Sequence, residues 1–184
     1  MIESRADLRA YLEADRVALR VERTLRNRLL DDVWRFQRSL RRLEFRLNTG
    51  ANPLLLAISK LRHRRLSRML GFVIPPNVFG PGLSISHYGP IQVDTHSRIG
   101  ARCRIHPGVM VGASHGADAG VPIIGDDCYL GAGAKLFGGI ELGPGTTVGA
   151  NAVVNRSFPE GNLTIAGVPA RVIGEREALT LDSE

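Results

Sequence analysis

Apolar residues recur every six positions along the second half of the chain, between Val93 and Phe158. Written in sixes from Ile124, the segment reads IGDDCY, LGAGAK, LFGGIE, LGPGTT, VGANAV and VNRSFP. Aliphatic residues lead each block at Ile124, Leu130, Leu136, Leu142, Val148 and Val154, and Gly follows four of them. The same phase continues upstream with leads at Val93, Ile99, Ile105 and Val111. Four residues after the lead stands a second, mostly small position: Ser97, Cys103, Cys128, Ala134, Thr146 and Ala152. Neither a helix nor an ordinary alternating strand has a six-residue beat, whereas a β-solenoid of short flat strands does. Three such strands close one triangular coil, so that residues eighteen apart stack and their leads fill a continuous core. Glycine after the lead is expected to relax the backbone where the chain turns a corner.

The beat is interrupted once. Val111 and Ile124 are thirteen apart, which predicts that Ala113–Pro122 leaves the coil as a loop, the kind of segment on which solenoids carry function. Phe72–Ser86 keeps the repeat irregularly, and Pro75, Pro76 and Pro81 suit a first, edge coil. After Pro159 the beat stops, and EGNLTIAGVPARVIGE reads as a strand and turn leading away from the coil.

Residues 4–70 carry a helical period instead. Ser4 with Asp7 forms a capping box ahead of Leu8, Tyr11, Leu12 and Leu19. Asp31 and Asp32 open a second helix with Val33, Phe36, Leu40, Leu43 and Leu47 on one face, and Gly50 ends it. Asn52-Pro53 starts a third, with an apolar stripe of Leu54, Leu55, Ile58, Leu61, Leu66 and Leu70 closed by Gly71. Helices at this end would cover the open edge of the first coil. The expected organisation is an α-helical region over 1–71, a solenoid over 72–174 and a tail over 175–184.

Charge divides along the same line. Residues 1–70 hold seventeen Lys and Arg against eight Asp and Glu, and the remainder holds seven against ten, giving the overall +6. Arg38, Arg41, Arg42, Arg62, Arg64, Arg65 and Arg68 fall between the apolar stripes and are expected on a solvated face, or against acids of a neighbouring subunit. No recognition motif accompanies them, so neither nucleic acid nor membrane is an expected partner. The two cysteines occupy small inward positions, which suits buried thiols better than disulfides or a metal knuckle. No run of eighteen apolar residues occurs, and the charged N-terminus does not resemble a signal peptide; the cytoplasm is the expected compartment.

Of five histidines, His63 and His96 are expected at the surface. His115 lies in the interrupting loop, within reach of a bound ligand. His87 ends the irregular first coil, and His106, nineteen residues later, should stack one coil above the Tyr88 side. A neutral imidazole accepts a hydroxyl proton near pH 7, which makes His87 a candidate general base. No close His pair or Cys–His cluster points to a metal.

The segments GPGLSISHYGPIQV, IGARCRIHPGVMVGA, IIGDDCYLGAGAKLFGGIELGPGTTVGANAVV and AGVPARVI resemble serine acetyltransferases of the hexapeptide-repeat, left-handed β-helix class over about residues 71–174. This resemblance implies a left-handed parallel β-helix preceded by helices. It also implies homotrimers, which can pair as dimers of trimers, with acetyl-CoA in the groove between neighbouring coils. His87 falls on the catalytic histidine. Ala132, Ala150, Lys135 and Arg171 fall where coenzyme is contacted, the two cations being suited to its phosphates. Acetyl-CoA would be a co-substrate, with no permanently bound cofactor and no metal.

The acceptor end departs from that pattern. The family has Asp before its catalytic histidine, where this chain has Ser86; a second Asp would fall near Phe72 or Val73; and an Arg-His pair would fall at Gly120 and Val121. Ser86, His106 and His115 are therefore the expected acceptor-side residues. The expected activity is O-acetylation of a hydroxyl, on L-serine by resemblance. A sugar or surface-polysaccharide hydroxyl is the close rival. The contrasting class is a non-catalytic trimeric scaffold whose basic helices bind RNA or lipid.

Overall fold

The computed structural model describes residues 1–114 and 120–176, without the Arg28 side chain. The N-terminal region is helical: α1 (Arg5–Ala18), α2 (Leu25–Leu30), α3 (Asp32–Asn48) and α4 (Pro53–Leu70). Their ends follow the capping chemistry of the sequence. Ser4 and Asp7 form a reciprocal capping box, Asp31 caps α3, and Asn52 caps α4 with Pro53 in its first turn. Gly50 and Gly71 take the left-handed conformation just past α3 and α4, where a side chain would be strained. The short α2, capped by Thr24, was not expected from the apolar period; its Leu25, Leu29 and Leu30 are exposed.

From Phe72 onward the chain is a left-handed β-helix. One sheet stacks β1 (Phe72–Val73), β3 (Ile91–Val93), β6 (Met110–Gly112), β9 (Lys135–Phe137) and β12 (Val153–Val154). A second holds β4 (Arg98–Ile99), β7 (Ile123–Ile124) and β10 (Glu141–Leu142), extended by bridges at Phe79 and Phe158. The third runs β2 (Ser84–Ile85), β5 (Arg104–Ile105), β8 (Tyr129–Leu130), β11 (Thr147–Val148) and β13 (Leu163–Gly167). Within the coil each strand pairs in parallel with strands of adjacent coils, never with its neighbour in sequence. All ten aliphatic leads from Val93 to Val154 are buried, and so are Ser97, Cys103, Cys128, Ala134, Thr146 and Ala152. Each buried Leu, Ile or Val contributes about 1.5–3 kcal/mol.

Glycine after a lead serves packing, not backbone freedom. A Cβ on Gly131 would stand 2.6 Å from the Val148 carbonyl oxygen of the next coil, and no left-handed φ is present there. The left-handed positions lie later in each block, at Arg102, Asp127, Asn151 and Gly108 among others.

Four further expectations are corrected. His63 is buried, not at the surface: it stacks on Phe36, ring centroids 5.0 Å apart, and Phe36 meets Phe72 edge-on at 4.9 Å, which joins α3, α4 and β1. Arg38 and Arg41 are buried too. The α4 stripe is covered only in its second half, because Leu66 and Leu70 reach the coil whereas Leu54, Leu55, Ile58 and Leu61 are exposed. Finally, Leu163–Gly167 does not leave the coil; it continues the third sheet, and β14 (Ala170–Glu175) returns antiparallel on it.

Arg41 is the joint between helices and coil. Its five N–H groups are all used: Nε and Nη2 donate to Asp15 on α1, Nη1 to Glu44 on α3, and Nη1 and Nη2 to the carbonyls of Phe79 and Gly80 in the first coil. Asp15 Oδ1 in turn accepts from the backbone N–H of Gly82 and Leu83, each at 2.9 Å, and Glu44 accepts from Asn77 N–H. Burial works against the charge of Arg41, but Glu44 and Asp15 hold it charged. Helix packing thus supplies partners for backbone groups of the open coil end. Among the described residues, no helix is long and apolar enough to cross a membrane.

Candidate functional site

The site lies along the corner where the third sheet passes into the first. Register fixes its geometry. Ser84 pairs with Arg104 and Ile85 with Ile105, so Ser86 stands beneath His106. Three residues on, a Cβ built on Gly89 would meet Pro107, so the stacking there has shifted by two. His87 and Tyr88 are those two additional residues. They form an excursion from the corner of the first coil, and both are exposed.

The expected stacking of His106 over the Tyr88 side is corrected by this excursion: the stack falls on Ser86. Ser86 Oγ and His106 Nε2 are 3.1 Å apart, and Arg104 Nε donates to the same oxygen at 3.2 Å. With Arg104 donating to it, the hydroxyl is free to give its own proton to His106. The His106 ring leans on Tyr129, centroids 4.9 Å apart. Burial, then the positive charges of Arg104 and His87, push the His106 pKa below the ordinary imidazole value. His106 is therefore neutral near pH 7, in the form that accepts a hydrogen bond.

Above His106 the corner continues in register. Gly133 N–H donates to Pro107 O and Asn151 N–H to Ala132 O, which places Pro107, Ala132 and Ala150 in one column. Ala132 and Ala150 are exposed and carry only methyl groups, leaving the edge smooth. Lys135, on β9 just past the corner, donates through Nζ to Gly108 O. Arg171, on β14, pairs with Ala166 of β13 and is exposed. The structure therefore brings Ser86, His87 and His106 together at one end of the edge and sets the two alanines and two cations along it. His115 lies outside the described residues.

Sequence reasoning missed Arg104. It stands immediately before the lead Ile105, and its reach to Ser86 is visible only once the two-residue excursion is known. The carboxylates near this end are engaged elsewhere. Asp94 accepts from His96 N–H and faces His96 Nδ1 at 3.2 Å. Asp127 is bonded to Arg102 through both oxygens. Among the described residues, no group of three His, Cys, Asp or Glu side chains gathers as for a metal ion.

Comparison with known proteins agrees with the repeat and the fold. The family described as Bacterial transferase hexapeptide (six repeats) matches residues 122–156. Serine acetyltransferase from Synechococcus elongatus is 36% identical over 112 residues, covering 59% of this chain and 45% of the relative. Serine acetyltransferase from Mycobacterium tuberculosis is 35% identical over 105 residues, covering 56% and 45%. The chain thus spans about half the length of the curated relatives it matches. Among solved structures, serine acetyltransferase in complex with coenzyme A from Brucella abortus superposes with a TM-score of 0.75 at 26% identity, covering 95% of this chain and 70% of that one. In its repeat, its coil and its relatives alike, the chain is similar to hexapeptide-repeat proteins and to serine acetyltransferases.

Proposed function

We propose that the chain is an acetyl-CoA-dependent O-acetyltransferase with His87 as general base. The carrying observation is the two-residue excursion, which projects an imidazole from the coil at the head of an edge lined by Ala132 and Ala150. Acetyl-CoA would lie along that edge, its pantetheine on the alanines and its phosphates toward Lys135 and Arg171. That the similar Brucella abortus serine acetyltransferase was solved in complex with coenzyme A supports acetyl-CoA as the co-substrate. Such an edge is one wall of a groove, so the site needs a neighbouring coil, and a homotrimer is the assembly that supplies it.

His87 takes the proton of the acceptor hydroxyl as its oxygen attacks the thioester carbonyl. Backbone N–H groups at the corner stabilise the oxyanion. Collapse breaks the carbon–sulfur bond, and the imidazolium returns its proton to the leaving thiolate of coenzyme A. The relatives' names make L-serine the first acceptor. A carbohydrate hydroxyl is the second, and Ser86 favours it: the carboxylate expected beside the base is replaced by a neutral hydroxyl. The cytoplasm, where acetyl-CoA is made available, is the matching compartment.

Release of free thiol from acetyl-CoA, followed with L-serine and with a set of sugars, tests this. We expect acceptor-dependent release. No release above hydrolysis with any acceptor would overturn it and favour a trimeric scaffold.

A further inference from the structure

We propose that the acceptor end of this site selects a negatively charged hydroxyl compound, a carbohydrate bearing phosphate or carboxylate, with Arg104 as its recognition cation. This rests on the reading of His87 as the base and names the acceptor class of that same site. Where the resemblance puts a carboxylate before the catalytic histidine, the chain has Ser86, and Arg104 bonds to it at 3.2 Å. The sign of the local charge is thereby reversed. Near Phe72 and Val73, the place of the second acid, there is no carboxylate either.

The guanidinium is available. Arg104 is exposed, and it uses only Nε on Ser86; among the described residues, Nη1 and Nη2 make no hydrogen bond or ion pair. A fork of two parallel donors is the geometry that fits a carboxylate or a phosphate. The charged groups felt by neighbouring His106 are Arg104 and His87, both cationic when charged. The acids of the adjoining turns, Asp126 and Asp127, face Arg102. An ammonium group placed against Ser86 would meet like charge, and an anion would meet an unpaired fork. Lys135 and Arg171 lie farther along the edge, so the phosphates of coenzyme A do not account for Arg104.

The test is calorimetric binding to the full chain with coenzyme A present, using D-glucose 6-phosphate, D-glucuronate, D-glucose and L-serine, alongside thiol release with each. We expect the two anions to bind at least tenfold more tightly than D-glucose or L-serine, and their relative affinities separate phosphate from carboxylate. Arg104→Ala should lose at least tenfold of the anion affinity, with coenzyme A affinity changed less than twofold. Arg104→Gln, which keeps a donor toward Ser86, should lose as much; Arg104→Lys should recover part. Equal binding of neutral and anionic sugars, or anion binding indifferent to Arg104, overturns the inference. Arg104-dependent anion binding without thiol release from any acceptor supports the anion site and overturns acetyl transfer. Turnover of L-serine indifferent to Arg104 supports acetyl transfer and overturns the anion site.

Discussion

Ser86 Oγ and His106 Nε2 meet at 3.1 Å across adjacent coils, with His87 and Tyr88 thrown outward immediately after Ser86. The contact predicts what a restored acid would do. In Ser86→Asp a carboxylate faces His106, so the charged imidazole gains a partner and its pKa should rise. Proton NMR of the His106 ring should show a titration midpoint above the wild-type one. L-serine should gain as an acceptor relative to anionic sugars.

His87→Ala should lower turnover by about 10²–10⁴-fold, the usual worth of one positioned acid–base group. Coenzyme A binding should be nearly intact, since the excursion is exposed and carries no core contact. Rates normalised to folded protein are the measurement. A variant that loses thermal stability but keeps its rate would assign His87 a structural role instead.

Acid should weaken the fold through two histidines. Burial lowers the pKa of His63, partly opposed by a backbone hydrogen bond with Ile74, and the His106 pKa is lowered as well. A group whose folded pKa lies below its unfolded value, about 6.5, binds more protons when unfolded. Stability is therefore complete above about pH 6.5 and falls as pH drops through each folded pKa. Thermal melts from pH 7.5 to 5 should show this decline. His63→Phe, which keeps the ring against Phe36, should make it shallower.

Asp15→Ala should destabilise by about 3–5 kcal/mol, because it leaves Arg41 short of a partner in a dry site. Urea unfolding gives the value. Arg41→Ala should be comparable, and the double variant less than additive. In the coil, Leu142→Asp should cost more than about 4 kcal/mol, an unpaired charge entering the core between Ile124 and Phe158.

Light scattering at micromolar concentration should give the mass of three chains or a multiple of three. A single-chain mass would leave the edge of Ala132 and Ala150 without its second wall.

The repeat was legible because a solenoid core is written locally: every lead from Val93 to Val154 could be read in phase without knowing its partners. Caps at Ser4, Asp31 and Asn52 were legible for the same reason. What escaped depends on contacts distant in sequence. The burial of Arg41 and His63 follows from docking the helices onto the coil, which no helical period records. The stacking of His106 was misplaced because a fixed step of eighteen cannot reveal two additional residues at one corner. Arg104 shared that fate, since its contact with Ser86 exists only in the shifted stack.

Asp15 has one more consequence. A coil built from interchangeable six-residue blocks has no intrinsic origin, because sliding every block by one beat buries much the same aliphatic side chains. The N–H groups of Gly82 and Leu83 break that degeneracy, since among the described residues they are the coil N–H groups that end on the Asp15 carboxylate that Arg41 holds in place. The buried ion group therefore works as a zero mark. It sets the phase from which each later block is counted, and so brings Ala132 and Ala150, not bulkier residues, to the same corner.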